Sequence, residues 1–125
     1  MTNNHQFGIW MDSHHAIVVG SGNPAEEKLT VLAHIDGEEV PPAGGGKIEH
    51  NQKTMLQAKY FKKIATHLDN ATLLHATGTG QAQEQFLHYL AATPQFKNLK
   101  TEESTANKMS DERLVEFFTE KFHKN

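Results

Sequence analysis

The sequence predicts an α/β fold with a mixed five-stranded sheet and helices on both faces. Three observations carry that expectation. The first third of the chain holds three strand-patterned runs joined by short polar turns. The remainder alternates helical and strand patterns. A strand–helix–strand unit needs a right-handed crossover and parallel neighbours, so antiparallel and parallel pairs should share one sheet.

The first run, QFGIWMD, places Phe7, Ile9 and Met11 on one face at period two. HAIVVG follows the polar turn DSHH, and the two runs read as a hairpin. Asn23-Pro24 marks the next turn. KLTVLAHI alternates Leu29, Val31, Ala33 and Ile35 against Thr30, Leu32 and His34, a third strand that completes a meander. A loop is expected from Asp36 to about His50, poorly ordered from Pro42 onward because three glycines relax its steric limits. A helix is expected from about Gln52 to Leu68. Its apolar stripe is Ala58, Phe61, Ile64, Ala65 and Leu68, with Lys59, Lys62 and Lys63 opposite. ATLLHAT reads as a short buried strand and GTG breaks it. QAQEQFLHYLA is a second helix, packing Ala82, Phe86 and Leu90 inward. Pro94 stops that region, and NLKTEE is a fifth strand. Ser110 caps a last helix, with Asp111 and Glu112 in the first turn, where the helix dipole favours acids. Leu114, Phe117, Phe118 and Phe122 are its inward residues. The order βββαβαβα is the ribonuclease-H-like arrangement.

Composition narrows the function classes. A length of 125 residues fits one domain, 1–125, with no internal repeat. No apolar run approaches the roughly 20 residues of a membrane span. MTNNHQFGIW lacks the basic and apolar regions of a signal peptide. Cysteine is absent, which excludes disulfides and thiolate metal sites. A cytoplasmic location is the resulting expectation. The net charge of −3 argues against a dedicated nucleic-acid binder, but the charge is unevenly spread. Residues 44–68 hold five lysines and one acid, Glu49, whereas the rest of the chain is acidic.

The motifs that usually announce an enzyme fail on spacing. GGGK lacks the first glycine of a phosphate loop, since Pro41 stands there, and Ile48 replaces the hydroxyl residue after the lysine. Gly78-Thr79-Gly80 lacks the third glycine of a dinucleotide fingerprint. Nine histidines raise the question of a metal, but His14 and His15 are neighbours in a turn and no His-x3-His pair lies on a predicted helix. No metal site and no cofactor are expected. A two-metal nuclease needs converging carboxylates. Asp12 ends the first strand, but ATLLHAT supplies none. Serine nucleophiles lack a recognisable setting, so no catalytic residue is assigned.

The segments FGIWMDSHHAIVVG, KLTVLAHI, the glycine loop feeding a basic helix, ATLLHATGTGQAQEQFLHYL and ANKMSDERLVEFF occur in a familiar order. Nearly the whole chain resembles the middle domain of archaeal and eukaryotic class-one peptide-chain release factors and of Pelota, in the compact form that bacteria carry. In that family the loop bears Gly-Gly-Gln, and the glutamine helps place the water that hydrolyses peptidyl-tRNA. By position Gly45 and Gly46 match the glycines, and Lys47 stands where the glutamine would be. A lysine ammonium only donates and cannot accept a hydrogen from water. The resemblance therefore implies a loop tip of Gly44, Gly45, Gly46 and Lys47 that has lost its release chemistry.

It further implies a translation-associated, non-catalytic module that binds the ribosome or structured RNA. Lys47, Lys53, Lys59, Lys62 and Lys63 would meet the RNA backbone. RNA-binding faces usually mix lysine with arginine and aromatics. Here the one arginine is Arg113, far from the loop, and Tyr60 is the aromatic expected beside the lysines. A chain of 125 residues leaves no room for a stop-codon-reading domain, so an autonomous release factor is not expected. Two other classes compete. One is an enzyme with residual peptidyl-tRNA hydrolase or nuclease activity, which needs a converging polar constellation. The other is a protein-interaction or dimerisation module using a sheet edge or apolar patch.

Overall fold

Strand β1 (Gln6–Met11) lies at the centre of the sheet, and all its residues but Gln6 are buried. It pairs antiparallel with β2 (His15–Gly20), which pairs antiparallel with β3 (Thr30–Asp36). On its other side β1 pairs parallel with β4 (Leu73–Gly78), and β4 pairs parallel with β5 (Lys100–Glu103). The sheet order is β3-β2-β1-β4-β5. The computed structural model describes residues 6–21, 29–37 and 46–123, without the side chains of 46–53 and 123. Helix α1 (Gly46–Ala65) precedes β4, α2 (Gln81–Ala91) connects β4 to β5, and α3 (Asp111–His123) follows β5. The mixed five-stranded α/β sheet expected from the sequence is present, with helices on both faces.

Period-two alternation on β1 decides which helices meet which face. Phe7, Ile9 and Met11 point toward α1 and α2, where they pack with Tyr60, Phe61, Ile64, Leu68, Phe86 and Leu90. Trp10 points the opposite way, toward Leu114 and Phe118 of α3. The Trp10 indole N–H donates to the Ala106 carbonyl at 3.0 Å, so its one polar atom is satisfied despite full burial. Gly8 shares that face. A Cβ there would fall inside van der Waals contact with the Phe118 ring, so α3 approaches β1 over a position that only glycine leaves open.

Two sequence expectations are corrected here. Leu29, Val31, Ala33 and Ile35 do not share one face. Val18 pairs with Ala33 but Val19 pairs with Val31, so Leu32 is an extra residue in a β-bulge. Ala33 and Ile35 join the α1/α2 side, while Leu29 and Val31 join the α3 side. An inserted residue inverts the alternation, and period-two counting cannot see it. Helix α1 also begins at Gly46 instead of Gln52. Gly46 is the last breaker in the segment. Nothing from Lys47 to Asn51 opposes a helix, and Glu49 enters the first turn, where an acid is favoured. Of the loop expected over Pro42–His50, residues 46–50 are helical and 42–45 lie outside the described residues.

Candidate nucleic-acid interface

Helix α1 carries two chemically different faces. Tyr60, Phe61, Ile64 and Ala65 are buried against the sheet at helical spacing, as is Leu68 just beyond the helix. Lys59, Lys62 and Lys63 are exposed on the other side, and Lys62 and Lys63 fall in the last turn, where the helix dipole favours cations. The structure thus groups three of the five predicted lysines on one surface. Lys47 lies in the first turn of α1. Its side chain and that of Lys53 are outside the described set, as are Gly44 and Gly45 altogether. Gly46 and Lys47 are therefore helical positions, not a loop tip.

Two assignments on this helix were wrong. Ala58 is exposed, one step beyond the apolar stripe. Tyr60 is not beside the lysines but buried, 2% exposed, with its hydroxyl donating to the Asp12 carbonyl at 3.0 Å. Burial pushes its phenol well above the ordinary value, and the charges of Asp12 and Asp36 add to the shift. Helical phase explains the error: residue 60 follows Lys59 by 100°, which carries it across the boundary into the core.

A partly exposed aromatic beside α1 is Tyr89 of α2. It lines an open groove of about 350 Å³ between α1 and α2, with Gln57, Ala58, Phe61, Gln85 and His88. The Gln57 amide donates across the groove to Gln85 Oε1 at 2.8 Å. The half-buried Tyr89 ring packs on Phe61 and Phe86, at centroid distances of 5.6 and 6.3 Å, which holds it in place. Glutamines and an aromatic edge line this groove, and Lys59, Lys62 and Lys63 stand outside it.

The turn after β1 is organised by Asp12, whose Oδ1 accepts from the amides of His14 and His15 at 2.8 and 2.7 Å. It thus serves as a turn residue. Among the described residues no group of three or more histidines and carboxylates gathers around one point. A polar network missed by the sequence reading lies at the carboxyl ends of β4 and β5. His75 Nε2 meets Ser104 Oγ at 2.8 Å, and His75 Nδ1 meets Glu102 Oε1 at 3.2 Å. These contacts have the outline of a nucleophile, base and acid. Yet Ser104 Oγ is also bonded to Thr77 Oγ1 at 2.9 Å, and the His75 ring is 4% exposed beneath Phe117 and Phe118. Neither described cavity is lined by any of the three. The arrangement is a satisfied, partly buried network that ties β5 to β4. Only the pairing of β4 with β5 brings these residues together, and no sequence motif encodes that.

With this geometry in place, the chain can be set beside known proteins. No family model and no curated protein matches it. Solved structures do. The Pelota protein of Thermoplasma acidophilum superposes with a TM-score of 0.60 over 93% of this chain, at 18% identity. An archaeal translation termination factor superposes at 0.61 over 98% of this chain, at 16% identity. Archaeoglobus fulgidus Pelota gives 0.61 over 96%, at 12% identity. This chain has the fold of one portion of those proteins. It spans about a third of their lengths, 32%, 35% and 32% respectively. At such identities the likeness concerns the fold. Among the described residues no helix is long and apolar enough to cross a membrane.

Proposed function

We propose that this chain is a translation-associated module that binds the ribosome or structured RNA and does not catalyse peptide release. It takes the form of the middle domain of class-one release factors and Pelota, of the compact bacterial kind, as one domain over residues 1–125. The observation that carries the reading is the likeness to an archaeal translation termination factor over 98% of the chain. The exposed Lys59, Lys62 and Lys63 on one side of α1 support it, because clustered cations on a helix face suit a phosphate backbone. Lys47 lies in the first turn of α1, and in this reading it takes the place of the release glutamine. Its ammonium would attract phosphate but could not accept a hydrogen from water.

Two assays test this reading. The chain should co-sediment with ribosomes at low salt, and treatment with ribonuclease should release it. It should not hydrolyse peptidyl-tRNA above background. Lys47→Gln should not restore full activity, because positioning carries much of catalysis. Absence of co-sedimentation at any salt would reject ribosome binding, and robust release by the wild-type chain would reject the loss of chemistry.

A further inference from the structure

Four side chains from three elements form a line on the surface at the end of the sheet away from β5. Asp36 Oδ1 of β3 meets His15 Nδ1 of β2 at 2.5 Å. His15 Nε2 meets His34 Nδ1 of β3 at 3.3 Å. His34 Nε2 meets Asp111 Oδ2, in the first turn of α3, at 2.9 Å. An ionised carboxylate only accepts. Asp36 therefore takes the Nδ1–H of His15, and Asp111 takes the Nε2–H of His34. That leaves a lone pair on each facing nitrogen, His15 Nε2 and His34 Nδ1. Two lone pairs aimed at each other repel unless a cation lies between them.

We propose that His15 Nε2 and His34 Nδ1 are the two protein ligands of a divalent late first-row metal ion of the zinc, nickel and copper class. The distances fit a metal ion held by both rings. Two nitrogens each 2.0–2.1 Å from a tetrahedral ion stand about 3.3 Å apart, with ring centroids roughly 5 Å apart. The observed values are 3.3 Å and 5.3 Å. Each ring's other nitrogen is held by a carboxylate, the outer-shell pattern that fixes the tautomer of metal-binding histidines and raises their basicity. Imidazole suits this class of ion. The His15 and His34 side chains are 22% and 46% exposed, so water can complete the coordination. The bound ion would join β2 and β3 and, through Asp111, fasten the start of α3.

The test uses the untagged full-length chain. Titration with Zn2+ or Ni2+ should show one equivalent bound at a site that both His15→Ala and His34→Ala abolish. Asp36→Asn should weaken binding about 10–100-fold, the usual cost of an outer-shell change. His67→Ala, at an exposed position just after α1, should bind as wild type. Because bound metal stabilises the native state by mass action, Zn2+ should raise the Tm of wild type but not of either histidine variant. Long-range 1H–15N spectra of the wild type read the ring nitrogens directly and need no variant to fold. His15 Nε2 and His34 Nδ1 should shift together at one equivalent of Zn2+. Unchanged ring signals, or equal uptake by the His15→Ala/His34→Ala double variant, would overturn the proposal.

Discussion

Helices α1 and α3 cover opposite faces of the same sheet, and they differ in charge and in the way they are seated. Helix α3 sits over Gly8, where the absent side chain lets Phe118 reach the strand backbone. Its exposed positions include Asp111, Glu112, Glu116 and Glu120. Helix α1 shares its face with α2, rests on the aromatic group Tyr60, Phe61, Phe86 and Tyr89, and exposes lysines. Both helices supply the core. Only α1 presents a cationic surface, so the core face and the proposed binding face of α1 are separate and should respond to different substitutions.

The largest effects should come from the two inward aromatics. Phe118→Ala and Phe61→Ala should each cost roughly 3–5 kcal/mol in chemical denaturation, the range for large core truncations. Phe118 is 0% and Phe61 5% exposed. A loss below about 1 kcal/mol for either would show that its helix is seated differently. Next comes Gly8→Ala, which distinguishes the two helices. The added methyl must displace Phe118, and overpacking of this kind costs about 1–3 kcal/mol. The combination Gly8→Ala/Phe118→Leu should recover part of that loss, whereas Gly8→Ala/Phe61→Leu should be additive. Equal behaviour of the two doubles would erase the contrast between the faces.

A smaller effect is expected where α1 meets the β1–β2 turn. Tyr60→Phe removes the bond to the Asp12 carbonyl and should cost about 1 kcal/mol by denaturation. A neutral result would mean that the turn does not depend on α1. At the cap of α3, Ser110 Oγ accepts from the Arg113 amide at 3.3 Å. Ser110→Ala should cost about 0.5–2 kcal/mol, read as helical signal lost on heating.

Legibility in the sequence followed the same division. The strands of the hairpin, α2 and α3 were readable because each carries one uninterrupted period, and Gly80, with φ of 155°, marks the start of α2 as only glycine can. Strand β3 was misread at Leu32 because a bulge inverts the period without changing residue types. Helix α1 was misread at its start, since three glycines and two prolines upstream suggested a longer loop than Gly46 allows. The lysine face was visible as a charge excess. The groove lined by Tyr89 was not, because sequence distance hides a groove between two helices. The chain of Asp36, His15, His34 and Asp111 was hidden in the same way: its members come from β2, β3 and α3 and meet only in the folded sheet.

The central claim is that the exposed side of α1 meets RNA, and charge reversal there tests it most directly. Lys59, Lys62 and Lys63 changed together to Glu should leave the fold intact, since exposed substitutions usually shift stability by about 0.5 kcal/mol or less each. Ribosome co-sedimentation would be measured across a salt series for the wild type and for this triple variant. The account predicts weaker binding by the variant and a shallower fall with salt, because fewer phosphate contacts release fewer counterions. Equal binding and equal salt slopes for the two proteins would contradict it.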